Sequence, residues 1–390
     1  MVADIQEIPE GYKRTEVGVI PQDWKANHFG DVLTIKHGKS QSLVIDMNGQ
    51  YPIMATGGQI GLATDYLHKG PSVLIGRKGT IDKPRYVNEP FWTVDTLFYS
   101  EIKSPNIPKF LFYQACMVPW RSYNEASGVP SLNANTIENI YVAIPCEAEQ
   151  EAIAEALTDA DEAIRSLEAV IEKKRNVKQA TLHALLTPTR RLPGFSGAWV
   201  EKTFDDVLSN IYGGGTPSKN IAAFWNGSIY WATIKDITNF EKNKTQQKIT
   251  KLGLKSSSAK IVPAKILIIG TRMAVGIPAL FDIEVAINQD LKALIFKNLY
   301  SNIYFFHWFT FQKEKLEAVS GGSTVSGISG KELGKTDFLI PPTLKEQTAI
   351  ATILSDMDGE IETLEARLDK LRDIKQGMMQ VLLTGKVRLI

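Results

Sequence analysis

The chain repeats itself, and this constrains its fold more than any other feature. Residues 149–161 read EQEAIAEALTDAD and residues 346–358 read EQTAIATILSDMD, an offset of 197. Extended without gaps, 147–187 pairs with 344–384; 19 of the 41 positions are identical and both copies end in Leu-Leu-Thr. A weaker match opens each half. Trp24 with Phe29-Gly-Asp-Val-Leu33 pairs with Trp199 and Phe204-Asp-Asp-Val-Leu208 at an offset of 175. Between these anchors Gly76-Arg-Lys-Gly-Thr80 corresponds roughly to Gly270-Thr-Arg-Met-Ala274, and Thr93-Val-Asp95 to Asn288-Gln-Asp290. The offsets differ by 197 − 175 = 22 residues, so the second variable block is the longer. The pattern is block, helix, block, helix: one scaffold carrying two different readers.

The repeated segments predict long helices with a 3.5-residue seam. In the second copy apolar residues fall at Ile350, Leu354, Met357, Ile361, Leu364, Leu368 and Leu371, spaced 4,3,4,3,4,3. The first copy offers Ile153, Leu157, Ile164, Leu167 and Ile171 in the same frame. A strict heptad imposes a left-handed supercoil on a partner helix. At 1.5 Å per residue each copy makes a rod of roughly 60 Å, too long to bury its stripe alone. The economical partner is the other copy, paired antiparallel, which would put the two blocks at opposite ends of the rod. Pro145 and Pro341-Pro342 mark the helix starts. Segment 147–187 carries nine Asp/Glu against five Lys/Arg, a solvated acidic face that makes the helices poor DNA binders; their remaining surface is the natural dock for partner subunits.

The blocks show short β-rich runs bounded by turn residues, such as Ser72–Ile75, Leu97–Tyr99, Ile266–Ile269 and Ala293–Phe296, with short helices expected near 107–120 and 301–318. The expected class is α/β (α+β), with residues 1–145 and 188–341 as two globular domains, 146–187 and 342–384 as the long helices, and 385–390 as a tail.

Composition excludes several classes. Two Cys give neither a disulfide framework nor a CxxC knuckle, and five scattered His lack metal-ligand spacing, so no metal is expected. The longest apolar runs are too short to span a bilayer, and the N-terminus has no apolar leader, so the expectation is a soluble cytoplasmic protein. No catalytic constellation holds. Gly38-Lys-Ser40 lacks the upstream Gly of a P-loop, Gly330-Lys331 is followed by Glu332, and Gly213-Gly-Gly215 lacks GxGxxG spacing.

Basic turns are present instead. Block one offers Lys39 and Ser40 after Gly38, and Arg77, Lys78 and Thr80 after an apolar strand. Block two offers Thr216, Ser218 and Lys219 after three glycines, Lys255 in a stretch (241–265) with seven Lys and one Glu, and Thr271 and Arg272 after its own strand. Gly and Ser admit a close phosphate, Lys and Arg neutralise it, and a guanidinium can pair with guanine. A lone GRKGT is more often a plain hairpin turn; the matching position in both halves gives it weight. Ser127–Ser131 and Ser320–Thr324 read as loops, connecting or phosphate-contacting.

At this point the pattern resembles the specificity subunit of type I restriction–modification systems. The carriers are Tyr12-Lys-Arg-Thr-Glu-Val-Gly-Val-Ile-Pro21 with Trp24, Arg190-Arg-Leu-Pro-Gly-Phe-Ser-Gly197 with Trp199, Gly76–Thr80 with Asp95, Gly253-Leu-Lys-Ser-Ser-Ser-Ala259, and Pro followed after three or four residues by Glu-Gln before each helix. The resemblance covers essentially the whole chain. It implies two target-recognition domains, each reading one half of a bipartite asymmetric DNA site, and no catalytic site in this subunit. It also implies two docked methyltransferase subunits using S-adenosylmethionine, and restriction/translocase subunits using ATP and Mg. The alternative from another class is a pseudo-symmetric coiled-coil scaffold that binds protein partners and not DNA.

Overall fold

The computed structural model describes residues 8–320 and 327–389. Two helices dominate it, Glu147–Leu185 and Leu344–Leu382, each of 39 residues. The chain divides into two compact units that do not follow chain order. One joins residues 1–168 to 366–390, and the other is 169–365. Each long helix therefore gives its first part to one unit and its last part to the other. No helix among the described residues is long and apolar enough to cross a membrane.

In the first unit a four-stranded antiparallel sheet runs in the order Leu33–His37, Leu97–Ile102, Ser72–Gly76, Arg85–Val87. A three-stranded sheet orders Gly58–Ala63, Tyr51–Ala55, Trp92–Thr93, the last pair parallel. Strand Ser72–Gly76 is buried at all five positions, as a central strand must be, and its one polar side chain is satisfied: Ser72 Oγ donates to the Ser100 carbonyl (2.8 Å).

The second unit repeats this plan. Its first sheet orders Leu208–Gly213, Leu291–Phe296, Leu267–Gly270, Pro278–Leu280. Its second orders Gln247–Ile249, Trp225–Ala232, Val285–Ile287, Lys260–Val262, with Trp225–Ala232 and Val285–Ile287 parallel. The extra strand Lys260–Val262 and the short helix Lys251–Lys255 belong to the longer block. The helices expected near 107–120 and 301–318 are Pro108–Met117 and Asn302–Ser320. Ser320 thus ends a helix, and the remainder of its predicted loop, 321–324, lies outside the described residues.

Each unit builds its core around both long helices. In the first, Trp24, Phe29, Phe98, Phe110, Tyr113 and Trp120 pack with Ile153 and Leu157 from the start of one helix and Met379, Leu382 and Leu383 from the end of the other. In the second, Phe204, Phe305, Trp308 and Phe309 pack with Ile350 and Leu354, and with Leu182, Leu185 and Leu186. Fully burying each such side chain contributes about 1.5–3 kcal/mol. The outer seam residues therefore serve a domain core as well as the helix pair. Further along, Ile171, Ile361 and Leu368 are buried, while Ile164, Leu167, Met357, Leu364 and Leu371 are half-buried.

Cross-helix ion pairs fix the direction. In the first unit Lys375 meets Asp161 (2.5 Å) and Arg372 meets Glu168 (2.6 Å). In the second, Lys174 meets Glu360 (2.6 Å), Arg175 meets Glu365 (2.5 Å) and Lys178 meets Asp358. From Asp161 to Glu168 the partners fall from Lys375 to Arg372, and from Lys174 to Lys178 they fall from Glu360 to Asp358, so the segments run antiparallel within each unit. The exposed pairs contribute little, about 0–1 kcal/mol each. Their acidic partners are engaged across the helix pair, not merely solvated.

Candidate nucleic-acid interface

Both basic turns are held by one short segment of their own unit. In the first unit that segment is 93–96. Lys39 N–H donates to the Thr93 carbonyl (2.8 Å), and Arg77 and Lys78 N–H donate to the Thr96 carbonyl (2.9 and 3.1 Å). In the second it is 287–290. Gly215 N–H donates to the Ile287 carbonyl (3.0 Å) and Thr271 N–H to the Asp290 carbonyl (2.9 Å). The glycine before each turn is sterically required: a Cβ on Gly76 would overlap the Thr80 carbonyl oxygen, and one on Gly270 the Ala274 carbonyl oxygen. A third strap closes each turn, Leu132 N–H to the Arg77 carbonyl and Ile328 N–H to the Thr271 carbonyl (2.9 and 3.0 Å).

These bonds set the correspondence residue by residue. Arg77 occupies the place of Thr271, Lys78 that of Arg272, and Gly79 that of Met273. Arg77 is half-buried and its Nη1 donates to the Asp95 carbonyl (3.1 Å), so one arm of its guanidinium serves the turn. Lys78 is exposed. Arg272 is 60% exposed in its side chain, with Asp290 at 3.8 Å. Lys78 and Arg272 thus share the exposed position of the two turns, with Arg77 one residue before it.

Thr271 requires a correction as a contact residue. It is 4% exposed, and its hydroxyl donates to the Asp290 carbonyl (3.0 Å), so it is turn framework. Thr80 is half-buried. Thr216 is half-buried and donates to Gln289 Oε1 (2.7 Å), which adds Gln289 to the polar surface beside the turn. Lys39, Ser40, Ser218, Lys219 and Lys255 are all exposed. Ser258 lies against Gly215, which brings the end of the Lys255 helix to the glycine loop.

The Lys-rich stretch is not a continuous cationic strip. Lys242 pairs with Glu362 (3.3 Å), Lys244 with Glu241 (2.8 Å), and Lys248 and Lys260 lie over the rings of Tyr230 and Tyr212. In the other serine-rich loop, Asn124 Oδ1 accepts from Ser131 N–H (2.9 Å). That ties the end of the loop at Ser131, which also bridges to Lys78, while Ser127, Gly128 and Val129 are exposed.

Sequence reasoning missed a pair of clamps. Arg388 donates twice to Glu149 (2.6 and 2.8 Å) and twice to Asp23 (2.9 and 2.7 Å), while Trp24 Nε1 also donates to Glu149 (2.9 Å). Arg191 donates twice to Glu346 (2.7 Å each) and to the Ser196 and Gly197 carbonyls. Glu149 and Glu346 are 0% and 1% exposed. The guanidinium beside Asp23 holds its carboxyl below the usual range. The signal was available: Arg191-Leu192 and Arg388-Leu389 continue the 197-residue offset past Leu-Leu-Thr. The Gln of each Glu-Gln pair ties the strand end to the helix. Gln150 Nε2 donates to the Pro145 carbonyl (3.1 Å) and Gln347 Nε2 to the Pro341 carbonyl (3.2 Å).

Among the described residues no group of three or more His, Cys, Asp or Glu is placed to hold a metal ion.

Comparison with known proteins adds the family. A model described as the type I restriction modification DNA specificity domain matches residues 21–174 and 197–373. The MjaX specificity subunit of a type I restriction enzyme from Methanocaldococcus jannaschii is 23% identical over 97% of both chains. The MjaIX specificity subunit of the same organism is 31% identical over 182 residues, which is 45% of this chain and 41% of that relative. Among solved structures, the type I restriction–modification S subunit of M. genitalium matches with a TM-score of 0.68 and 14% identity, over 92% of this chain and 96% of that one. A chain from a study of complex assembly and conformational transition of a type I system matches with a TM-score of 0.58 and 15% identity, over 94% and 99%.

Proposed function

Because the chain belongs to the family of type I restriction–modification DNA specificity domains, we propose that it is the sequence-specific DNA-binding subunit of such a complex. Each unit reads one half of a bipartite asymmetric site. The observation that carries this is the duplicated turn: one backbone frame, strapped in the same way in both units, presents Lys78 in one and Arg272 in the other. A common frame with different projecting groups suits two readers of different half-sites. Lys39, Ser40, Ser218, Lys219 and Lys255 supply phosphate contacts that position without specifying. Arg272 supplies the contact able to choose a base.

The chain supplies recognition and not catalysis. In this reading two methyltransferase subunits dock on the helix pair and bring S-adenosylmethionine. Restriction/translocase subunits bring ATP and Mg, and the complex works in the cytoplasm. The long helices set the unread gap. A heptad inserted in both would lengthen it, and mapping that finds an unchanged gap would count against the helices as spacers.

The direct test is to co-express the chain with a methyltransferase of its own system and map N6-methyladenine across host DNA. The expected result is one bipartite motif with an unread gap. Methylation without a motif from an assembled complex would leave a protein scaffold as the better description.

A further inference from the structure

The two turns differ most sharply at one position. Where the first unit has Gly79 at φ +89, the second has Met273 at φ +61. This left-handed region is open to glycine and unfavourable for a side chain with a Cβ. Among the described residues only Asn226, Lys265 and Met273 adopt it without being glycine. The side chain gains nothing from the chain in return. Met273 is 87% exposed, while Thr271, Ala274 and Val275 around it are 3–4% exposed. The turn beneath it is firmly held: Thr271 is bonded on both sides, Ala274 N–H donates to the Arg272 carbonyl (2.7 Å), and Gly276 N–H to the Gly270 carbonyl (2.9 Å). A rigid frame thus holds a long apolar side chain in water, in a disfavoured backbone conformation, next to a projecting guanidinium. Strain that packing does not explain points to a contact outside the chain.

We infer that Met273 is a specificity-determining residue of the second half-site, and that its thioether arm packs on the 5-methyl group of a thymine in the major groove, beside the base pair addressed by Arg272. The inference rests on the DNA-reading function proposed above. The chemistry follows from what base edges present: the thymine methyl is the apolar feature there, and a guanidinium pairing with guanine works in the same groove. The thioether is soft and unbranched, and adapts to such a surface. The first unit has no counterpart, since Gly79 presents no side chain.

The test uses the purified full chain and a library of random-sequence DNA duplexes, selected in parallel with wild type and Met273→Gly. The glycine variant should melt at the same temperature as wild type or higher, because glycine relieves the left-handed residue. It should keep the first half-site and lose about fivefold or more of its preference for thymine at one position of the second. Replacing that thymine by deoxyuridine, which lacks only the methyl, should weaken wild type by a similar factor and leave the variant unchanged. An unchanged motif with Met273→Gly would overturn the inference, as would an equal response of both proteins to deoxyuridine. A lowered melting temperature with an unaltered motif would make the position structural. If wild type itself enriches no motif, the DNA-reading function falls, and this inference with it.

Discussion

The two units solve the same burial problem with different side chains. In the first, the carboxylate at the start of a long helix, Glu149, receives Arg388 and the Trp24 indole, and Arg388 also holds Asp23. In the second, Glu346 receives Arg191 alone; Ala198 stands where the first unit has Asp23, and the buried indole nitrogen of Trp199 has no hydrogen-bond partner. A second node differs in the same way. Tyr113 donates to Asp161 (2.8 Å), which also takes Lys375. At the equivalent place His307 meets Ser355 (3.1 Å), with Asp358 at 3.8 Å, and Asp358 takes Lys178. The duplicated scaffold retains the carboxylate and its cation at both nodes; at the first, Glu149 and Glu346 are fully buried, and a buried charge without a partner is far more costly than a changed neighbour. Everything around that pair is free to change.

The comparison can be broken most forcefully at the clamps. Arg191→Ala leaves Glu346 buried with no cation and should cost about 3–5 kcal/mol in denaturant unfolding of the full chain. Arg388→Ala leaves Glu149 with the Trp24 hydrogen bond, so its cost should be smaller by about 1.5–3 kcal/mol, the contribution of a hydrogen bond to a charged group. A larger loss for Arg388→Ala than for Arg191→Ala would count against the indole as a partner, since the exposed Asp23 pair that Arg388 also holds contributes only about 0–1 kcal/mol. At the turns, Arg272→Ala should weaken recognition by about 1–3 kcal/mol at the second half-site only, read as a changed motif in methylation mapping. A uniform loss on all sequences would make Arg272 a phosphate contact.

The nodes differ in their response to acid. Burial, offset in part by Asp358, pushes the His307 imidazole down to about 4. Above the ordinary histidine value of about 6.5 both folded and unfolded states hold it neutral. Below that value the unfolded chain takes up a proton that the folded one resists, so stability falls as pH drops toward 4. Between pH 6.5 and 5.5 this histidine should remove about 1 kcal/mol, and His307→Gln should abolish that increment. The Tyr113 node has no such titration: burial raises its phenol further above neutrality. The smallest effect belongs to Lys78. Lys78→Ala should weaken DNA binding evenly across sequences and reduce the salt slope by about one. A motif change confined to the first half-site would instead show that Lys78 reads a base.

Much of the scaffold was legible because its signals are local and periodic. The seam from Ile350 to Leu371 and the strands ending at Gly76 and Gly270 each depend on neighbours a few residues away, and the 197-residue offset shows as identity between two continuous segments. The similar topology of the two blocks was not legible, since side chains facing outward diverge without disturbing the backbone ladder. The site was legible as a place and not as a set of side chains. The pattern located the turns but could not say that Arg77 is tethered to the Asp95 carbonyl or that Thr271 is buried beneath Asp290.

By itself, then, the sequence determined the duplication, the two heptad helices and the position of a basic turn after a buried strand in each half. Only the tertiary structure decided which cation projects, which threonine is framework, and which arginine neutralises which buried glutamate. The reason is physical. Periodic burial is encoded in residues that are close in the chain. The fate of a polar side chain is set by the partner that reaches it, and Arg388 finds Glu149 across 239 positions.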